Sequence, residues 1–367
     1  MNKKYDNLNM QGENLKRVIN FDNPMWTPVV YNILPCAWIK HGEALSDLMV
    51  AHPRLFPDYK KPDKYTPPIL EGLFAPGQLT DCWGCVWENL HPGIIGQVVK
   101  HPLADWDNFA LWERPDPMKD ALLGPRNWDA LKADIEKKKK NGSFAPDSVL
   151  PHGFHYLLLA DLCGFEKNMI DMAMEEPMLD KLIDVIIDYN SKVVNKLFEL
   201  GCEFLALAED LGTQKSLPIS VEMWRKYVKP GYEATAGQAR DRGIPVFLHS
   251  DGHILPIIDD LIETGVTIIN PQVRPNTLEG LLEHVKGKMT ICLDLDRQLF
   301  PFASPQQLKE HVYEAHEILS SPEGGLMFNI EICDNIPLNN IEALFSALED
   351  TCNLPFPEDT GGVSIGF

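Results

Sequence analysis

The sequence predicts an α/β protein whose parallel strands close as a distorted (β/α)8 TIM barrel. Three observations carry this. Through the second half of the chain, apolar runs of about five to seven residues alternate with longer amphipathic stretches, the rhythm of a parallel sheet buried on both faces. Each late apolar run ends in polar residues: Glu209 and Asp210, His249 and Asp251, Asn270 and Gln272, Asp294 and Asp296, Glu331 and Cys333. In such a barrel the C-terminal strand ends form one rim, and that rim carries the chemistry. No GxGxxG follows the first strand, which weighs against an open, doubly wound nucleotide-binding sheet. The 367 residues are expected to form a single barrel domain spanning 1–367, with an N-terminal extension over about 1–25 and an insertion near 81–110.

Taken in order, "WTPVVYNIL" (26–34) reads as the opening strand. The stretch 81–106, "DCWGCVWENLHPGIIGQVVKHPLADW", is aromatic and Gly-rich with no clear period, and reads as a segment covering the substrate. "IEKKKKNG" (135–142) reads as a solvated helix C-terminus, its lysines favoured by the helix dipole and Asn-Gly as the exit. "DSVLPHGF" (147–154) reads as a strand, and two long amphipathic helices follow over 156–174 and 178–201. Met169, Met172, Met174 and Met178 fall at helical spacing and read as core filler. Strands are then expected at 203–210, 244–251, 266–271, 289–296 and 325–333. Helices are expected at 220–242, 254–264, 277–286, 305–319 and 338–349.

Composition narrows the function. The formal net charge is −20, which argues against nucleic acid and anionic membrane as partners and disfavours a heavily carboxylated substrate. No apolar run reaches membrane-spanning length, and the polar "MNKKYDNLNMQGENLKRV" lacks a signal peptide's apolar stretch, so a cytoplasmic location is expected. The eight Cys are scattered, and only Cys82 and Cys85 form a CxxC. A structural zinc knuckle and disulfides are therefore not expected, and most Cys read as small buried hydrophobes. No nucleophile elbow, P-loop or kinase signature is present.

The segment "IPVFLHSDGHI" (244–254) concentrates the chemistry. His249 and Asp251 stand two apart at a strand end, and Gly252 allows the turn that lets both reach one point. Imidazole and carboxylate are good zinc ligands, and catalytic zinc keeps three protein ligands and one open position. Cys333, at the last strand's end, is the first candidate for the third ligand, with Glu331, Glu209 and Asp210 as alternatives. The plainer reading is that His249 and Asp251 hydrogen-bond and cap the next helix, with His253 in a supporting or surface place. Asp251-Gly252-His253 also begins D-x-H-x-x-G, the lower-axial cobalamin motif. Pro256 stands where Gly is required, so the chain is not expected to hold a corrinoid by itself. His152 and His155 bracket Phe154 at either a pocket mouth or a helix start. Asn32 and Tyr31, on the first strand, are candidates for orienting substrate.

The order of these motifs resembles the uroporphyrinogen decarboxylase superfamily. The resemblance rests on the acidic strand end and helix start in "LAEDLGTQKSLPISVEMWRKYVKP", the His249-Ser-Asp-Gly strand end, "GVTIINP" (265–271), the closing "GGLMFNIEICDNIPLNNIEAL" and the opening "ENLKRVINFDNPMWTPVV". It implies a distorted barrel with the active site in the C-terminal cleft. The Arg-rich segment of the tetrapyrrole decarboxylases has no counterpart in "MWTPVVYNILPCAWIKHG", which speaks against that reaction. The superfamily's corrinoid-linked methyltransferases hold zinc by an H-x-C strand end and a later Cys. His249 and Cys333 match, while Asp251 replaces the middle Cys and makes the site harder, suiting an oxygen substrate. "CWGCVWENLHPGIIGQ" is similar to a segment of the O-demethylase branch.

The resemblance thus implies methyl transfer from a small methoxylated aromatic substrate to the Co(I) corrinoid of a separate cobalamin-binding protein. Zn2+ would be held by His249, Asp251 and Cys333, with Glu209 or Asp210 as the acid. Trp83, Trp87, His152, Phe154 and Asn32 would line the substrate. The rivals are a zinc-dependent thiol methyltransferase, a metal-free decarboxylase and a non-catalytic binder. A homodimer is one expectation for the assembly, which the sequence leaves open.

Overall fold

The computed structural model describes residues 5–360, with the side chains of 359 and 360 left aside; the first residues of the expected N-terminal extension lie outside the described residues. The elements run helix α1 (Met10–Ile19), strand β1 (Val29–Ile33), helix α2 (Pro35–Ala51), then strands β2 (Gly77–Thr80), β3 (Val86–Asn89) and β4 (Gln97–Lys100). Helices α3 (Trp128–Lys140), α4 (Tyr156–Cys163), α5 (Phe165–Met174) and α6 (Pro177–Glu199) precede strand β5 (Leu205–Ala208). Helices α7 (Val221–Tyr227) and α8 (Lys229–Arg240), strand β6 (Val246–Ser250), helix α9 (Ile258–Thr264) and strand β7 (Ile268–Pro271) follow. Helices α10 (Val273–Asn276) and α11 (Leu278–His284), strand β8 (Thr290–Asp294), helix α12 (Pro305–Leu319), strand β9 (Leu326–Ile332) and helices α13 (Leu338–Thr351) and α14 (Pro357–Thr360) complete the chain. The fold class is α/β, with parallel strands alternating with helices as in a distorted (β/α)8 barrel.

Two compact units divide these elements. One holds residues up to Leu70, 138–145 and those from Ile268 onward. Its strands lie in the order β1-β9-β8-β7, all parallel, with Val29 opposite Phe328 and Asp294 opposite Asn329. The interior strand β8, "TICLD", is buried at every position, as a strand covered on both faces requires. The other unit holds Glu71–Lys137 and Pro146–Thr267. Within it β5 pairs parallel with β6, Leu205 opposite Val246 and Ala208 opposite His249. The strands β2, β3 and β4 form a separate antiparallel sheet there.

Four sequence expectations change. The strand expected at 147–154 does not form: Asp147 makes one isolated bridge with Leu205, and Pro151, which has no N–H to donate, interrupts any ladder. The helix expected at 220–242 is two helices, because Pro230 cannot donate to the turn before it and begins a new one. The helix over 156–174 breaks at Gly164, whose φ of 88° suits a residue without a Cβ. The stretch read as aperiodic contains β3 and β4. Asp81 holds its turn, with Oδ1 accepting from the Trp83 and Cys85 N–H at 2.9 Å each and Oδ2 from Trp87 Nε1 at 2.8 Å. All eight Cys are free thiols and six are buried. No helix among the described residues is long and apolar enough to cross a membrane.

Candidate functional site

The ends of β5 and β6 lie level, because Ala208 pairs with His249 and the Glu209 N–H donates to the His249 carbonyl at 3.0 Å. Successive side chains leave a strand in opposite directions. Glu209 accordingly turns inward and is fully buried, while Asp210 stays partly open. The loops beyond are stitched together: the Gly212 N–H donates to the Asp251 carbonyl at 3.1 Å, and the His253 N–H to the Thr213 carbonyl at 2.7 Å. Gly252 sits at φ 84°, and a Cβ there would collide with Gly212. Only Gly permits this approach, and it fixes where Asp251 starts.

Asp210 is the centre of a convergent set. Its Oδ1 lies 3.1 Å from His152 Nε2 and 3.9 Å from His249 Nε2, and accepts the Asp251 N–H at 3.3 Å. Asp251 Oδ1 approaches His249 Nε2 at 3.3 Å. One ligand atom each from His152, Asp210 and His249 falls within 4.8 Å of the others. Burial by itself pushes the Asp210 carboxyl up, but the His152 hydrogen bond, the charges of His152 and His249 and the Asp251 N–H outweigh it and hold it below the usual carboxylate range. Asp210 is therefore an anion between two imidazoles. Two nitrogens and one carboxylate oxygen match the donor chemistry of catalytic zinc.

Glu209 serves another purpose. Its Oε1 accepts from the His155 N–H at 2.9 Å and the Leu157 N–H at 3.0 Å, and its Oε2 accepts from the Tyr232 hydroxyl at 3.0 Å. These N–H groups belong to the start of α4, whose first donors have no partner within the helix. Burial pushes the Glu209 carboxyl up to about 7 against the lowering effect of these donors. His155 is buried, its Nε2 donates to the Tyr227 carbonyl at 3.0 Å, and burial pushes it down to about 4, so its ring is neutral.

The remaining expected residues fall as follows. Trp83 is almost fully buried, stacked on Trp112 at 6.0 Å and edge-on to Tyr189 at 4.8 Å. Phe154 is buried with its ring 5.3 Å from that of Tyr232. Trp87 is half-buried and bonded to Asp81. These three lie in the unit that holds His152, Glu209, Asp210, His249 and Asp251. Asn32 and Cys333 belong to the other unit. There Glu331 is gripped by Arg297 Nη1 at 2.7 Å and by Asn32 Nδ2 at 3.1 Å, with Cys333 Sγ 3.9 Å away. Arg297 Nε also reaches Asp294 Oδ2 at 3.0 Å. Burial, then the Glu331 charge, pushes the Cys333 thiol up to about 12. The sequence reading missed Arg297, although its spacing of three from Asp294 was a usable signal. It also read His152 as a pocket-mouth or helix-start residue and a substrate contact, not as a metal ligand.

Parallel strands alternating with helices, and polar side chains gathered where strands end, define an α/β barrel-type chain with its candidate chemistry on the C-terminal strand side. Residues 156–351 match the family described as uroporphyrinogen decarboxylase (URO-D). This is more than half of the chain, and the chain belongs to that family. A methyltransferase from Methanosarcina mazei has the same fold, with a TM-score of 0.60 and 17% identity over 94% of this chain and 99% of that one. Lesser likenesses are to dihydropteroate synthases. That from Xanthomonas albilineans, in complex with indole-2-carboxylic acid and 6-chloroguanine, has a TM-score of 0.29 and 13% identity over 49% of this chain and 71% of that one. That from Vibrio fischeri ES114 has a TM-score of 0.26 and 16% identity over 40% and 55%. No curated protein sequence matches the chain.

Proposed function

We propose that this chain is a methyltransferase that moves a methyl group from a small methoxylated aromatic compound to the Co(I) corrinoid of a separate protein. The observation that carries the reading is the convergence of His152, Asp210 and His249 within 4.8 Å at the ends of β5 and β6. The fold shared with a methyltransferase is consistent with it. Fold alone would not suffice, since one fold hosts many reactions.

The chemical difficulty is the leaving group. When the methyl carbon–oxygen bond breaks, the bonding pair stays on the aryl oxygen, and that oxygen finally takes a proton. Zinc bound at the site would act as a Lewis acid toward that oxygen. His152 and His249 would present neutral imidazole nitrogens, and Asp210, kept ionised by its neighbours, would present the anionic oxygen. Asp251, 3.3 Å from His249 Nε2, approaches the same ring nitrogen that faces Asp210. A donor set of nitrogen and oxygen is harder than one with thiolates and favours an oxygen substrate over a thiol. Asp251 and Cys333, the ligands first expected beside His249, form the competing set. Trp83, Trp87, Phe154 and Asn32 remain candidates for shaping the substrate's surroundings.

Metal quantification on purified, untagged protein tests the reading. Wild type should carry close to one zinc per chain, and His152→Ala, Asp210→Ala and His249→Ala should lose it, while Cys333→Ser keeps it. Demethylation of a methoxylated aromatic should then follow zinc content when reduced corrinoid protein is supplied. A wild-type protein without transition metal and indifferent to added zinc ends the proposal. Zinc loss in Cys333→Ser, with retention in His152→Ala, replaces the ligand set by the competing one.

A further inference from the structure

We infer that Glu209 is a positioning residue: through the N–H groups of His155 and Leu157, its buried carboxylate fixes the segment 152–157 that presents His152 to Asp210 and His249. This deepens the reading above and rests on it for the role of His152. Each link is a direct contact within one unit. The Gly153 N–H donates to the Ala208 carbonyl at 2.9 Å, and the Phe154 carbonyl accepts from Asn190 Nδ2 at 2.8 Å. The next N–H, that of His155, donates to Glu209 Oε1, and that of Leu157 to the same oxygen. Three successive residues after His152 are thus tied to β5, α6 and Glu209.

The carboxylate is itself held from behind. Tyr232 on α8 donates to Oε2, and its own ring is buried against Phe154. Gly231 next to it leaves room for the His155 ring, and a Cβ there would come within 2.6 Å of three imidazole carbons. The His155 side chain bonds the Tyr227 carbonyl and is fully buried. Adjacent acids at the end of β5 therefore divide the work. Asp210 faces the imidazoles. Glu209 faces the backbone that carries one of them, and with both its oxygens engaged and no exposed surface it touches no substrate.

Two measurements test this together. The first is hydrogen exchange of the 153–157 amides in metal-free protein. The second is zinc affinity by chelator competition. Glu209→Gln keeps an oxygen acceptor and should leave both within about threefold of wild type. Glu209→Ala should speed exchange in 153–157 selectively and weaken zinc binding by about 10- to 100-fold, the range for residues that orient metal ligands. Gly231→Ala should perturb the same amides from the opposite side. Wild-type exchange in Glu209→Ala overturns the inference. Loss of methyl transfer in Glu209→Gln at full zinc occupancy also overturns it, since that marks a proton donor. If wild type takes up no zinc, the proposed function fails, and the exchange arm still decides the role of Glu209.

Discussion

Two groups of strand ends in this molecule follow the same sequence rule and reach opposite electrostatic results. At β8 and β9, Asp294 and Glu331 share Arg297, so a guanidinium built into the chain bridges both acids. At β5 and β6, Asp210 faces His152 and His249, imidazoles that carry a full charge only when protonated. The first group is complete as it stands. The second gathers nitrogen and oxygen lone pairs toward one point, and a divalent cation satisfies such a set better than a proton does. Polar residues at strand ends announce a rim, and the identity of the nearest cation distinguishes a closed network from a receptive one.

The comparison is broken most forcefully at His249. His249→Ala should weaken zinc binding by more than about 100-fold, beyond what loss of an outer partner costs, as read by chelator competition. Retained affinity would place the receptive site elsewhere. At the closed network, Arg297→Met should cost about 3 kcal/mol in chemical denaturation, because it removes the guanidinium that faces the buried Asp294 carboxylate. Zinc affinity should stay unchanged.

A pH experiment sharpens the contrast within the second group. The folded-state value for Glu209 is about 7 against an ordinary 4.5, so the folded protein keeps a proton that the unfolded chain releases. Its contribution is fully present below about pH 4.5 and is lost as pH rises through 7. The difference of 2.5 units corresponds to about 3 kcal/mol at most. Glu209→Gln should flatten the stability of metal-free protein across that window, and an unchanged slope would assign the titration to another group. The smallest effect is expected at Asn32→Ala, which removes one exposed hydrogen bond to Glu331 and should cost less than about 1 kcal/mol.

The strands from β5 to β9 were legible because each is an apolar run bounded by polar residues, and burial on two faces leaves few other readings. Helix α12 was legible as an amphipathic stretch over 305–319, and the structure adds a capping box of Ser304 and Gln307 at its start. The small sheet of β2, β3 and β4 was not. Its strands have four residues each, and Asp81, rather than any period, organises the turn between two of them. Within the site, His249, Asp251 and Asp210 could be read from their strand ends. The approach of His152 to Asp210 could not, since it joins positions 58 apart through a loop with no period to betray it. The division of labour between Glu209 and Asp210 was half visible. Alternation along a strand separates neighbouring side chains, but which of the two faces inward depends on register.

The Gly212–Gly252 contact has a consequence for exchange chemistry. These loops are clasped by their own backbones, so main-chain contacts and not a bound ion set where Asp210 and Asp251 begin. At the zinc site proposed above, exchanging zinc for another divalent ion of similar radius would then be a local substitution, and cobalt would serve as a coloured reporter of the proposed ligands.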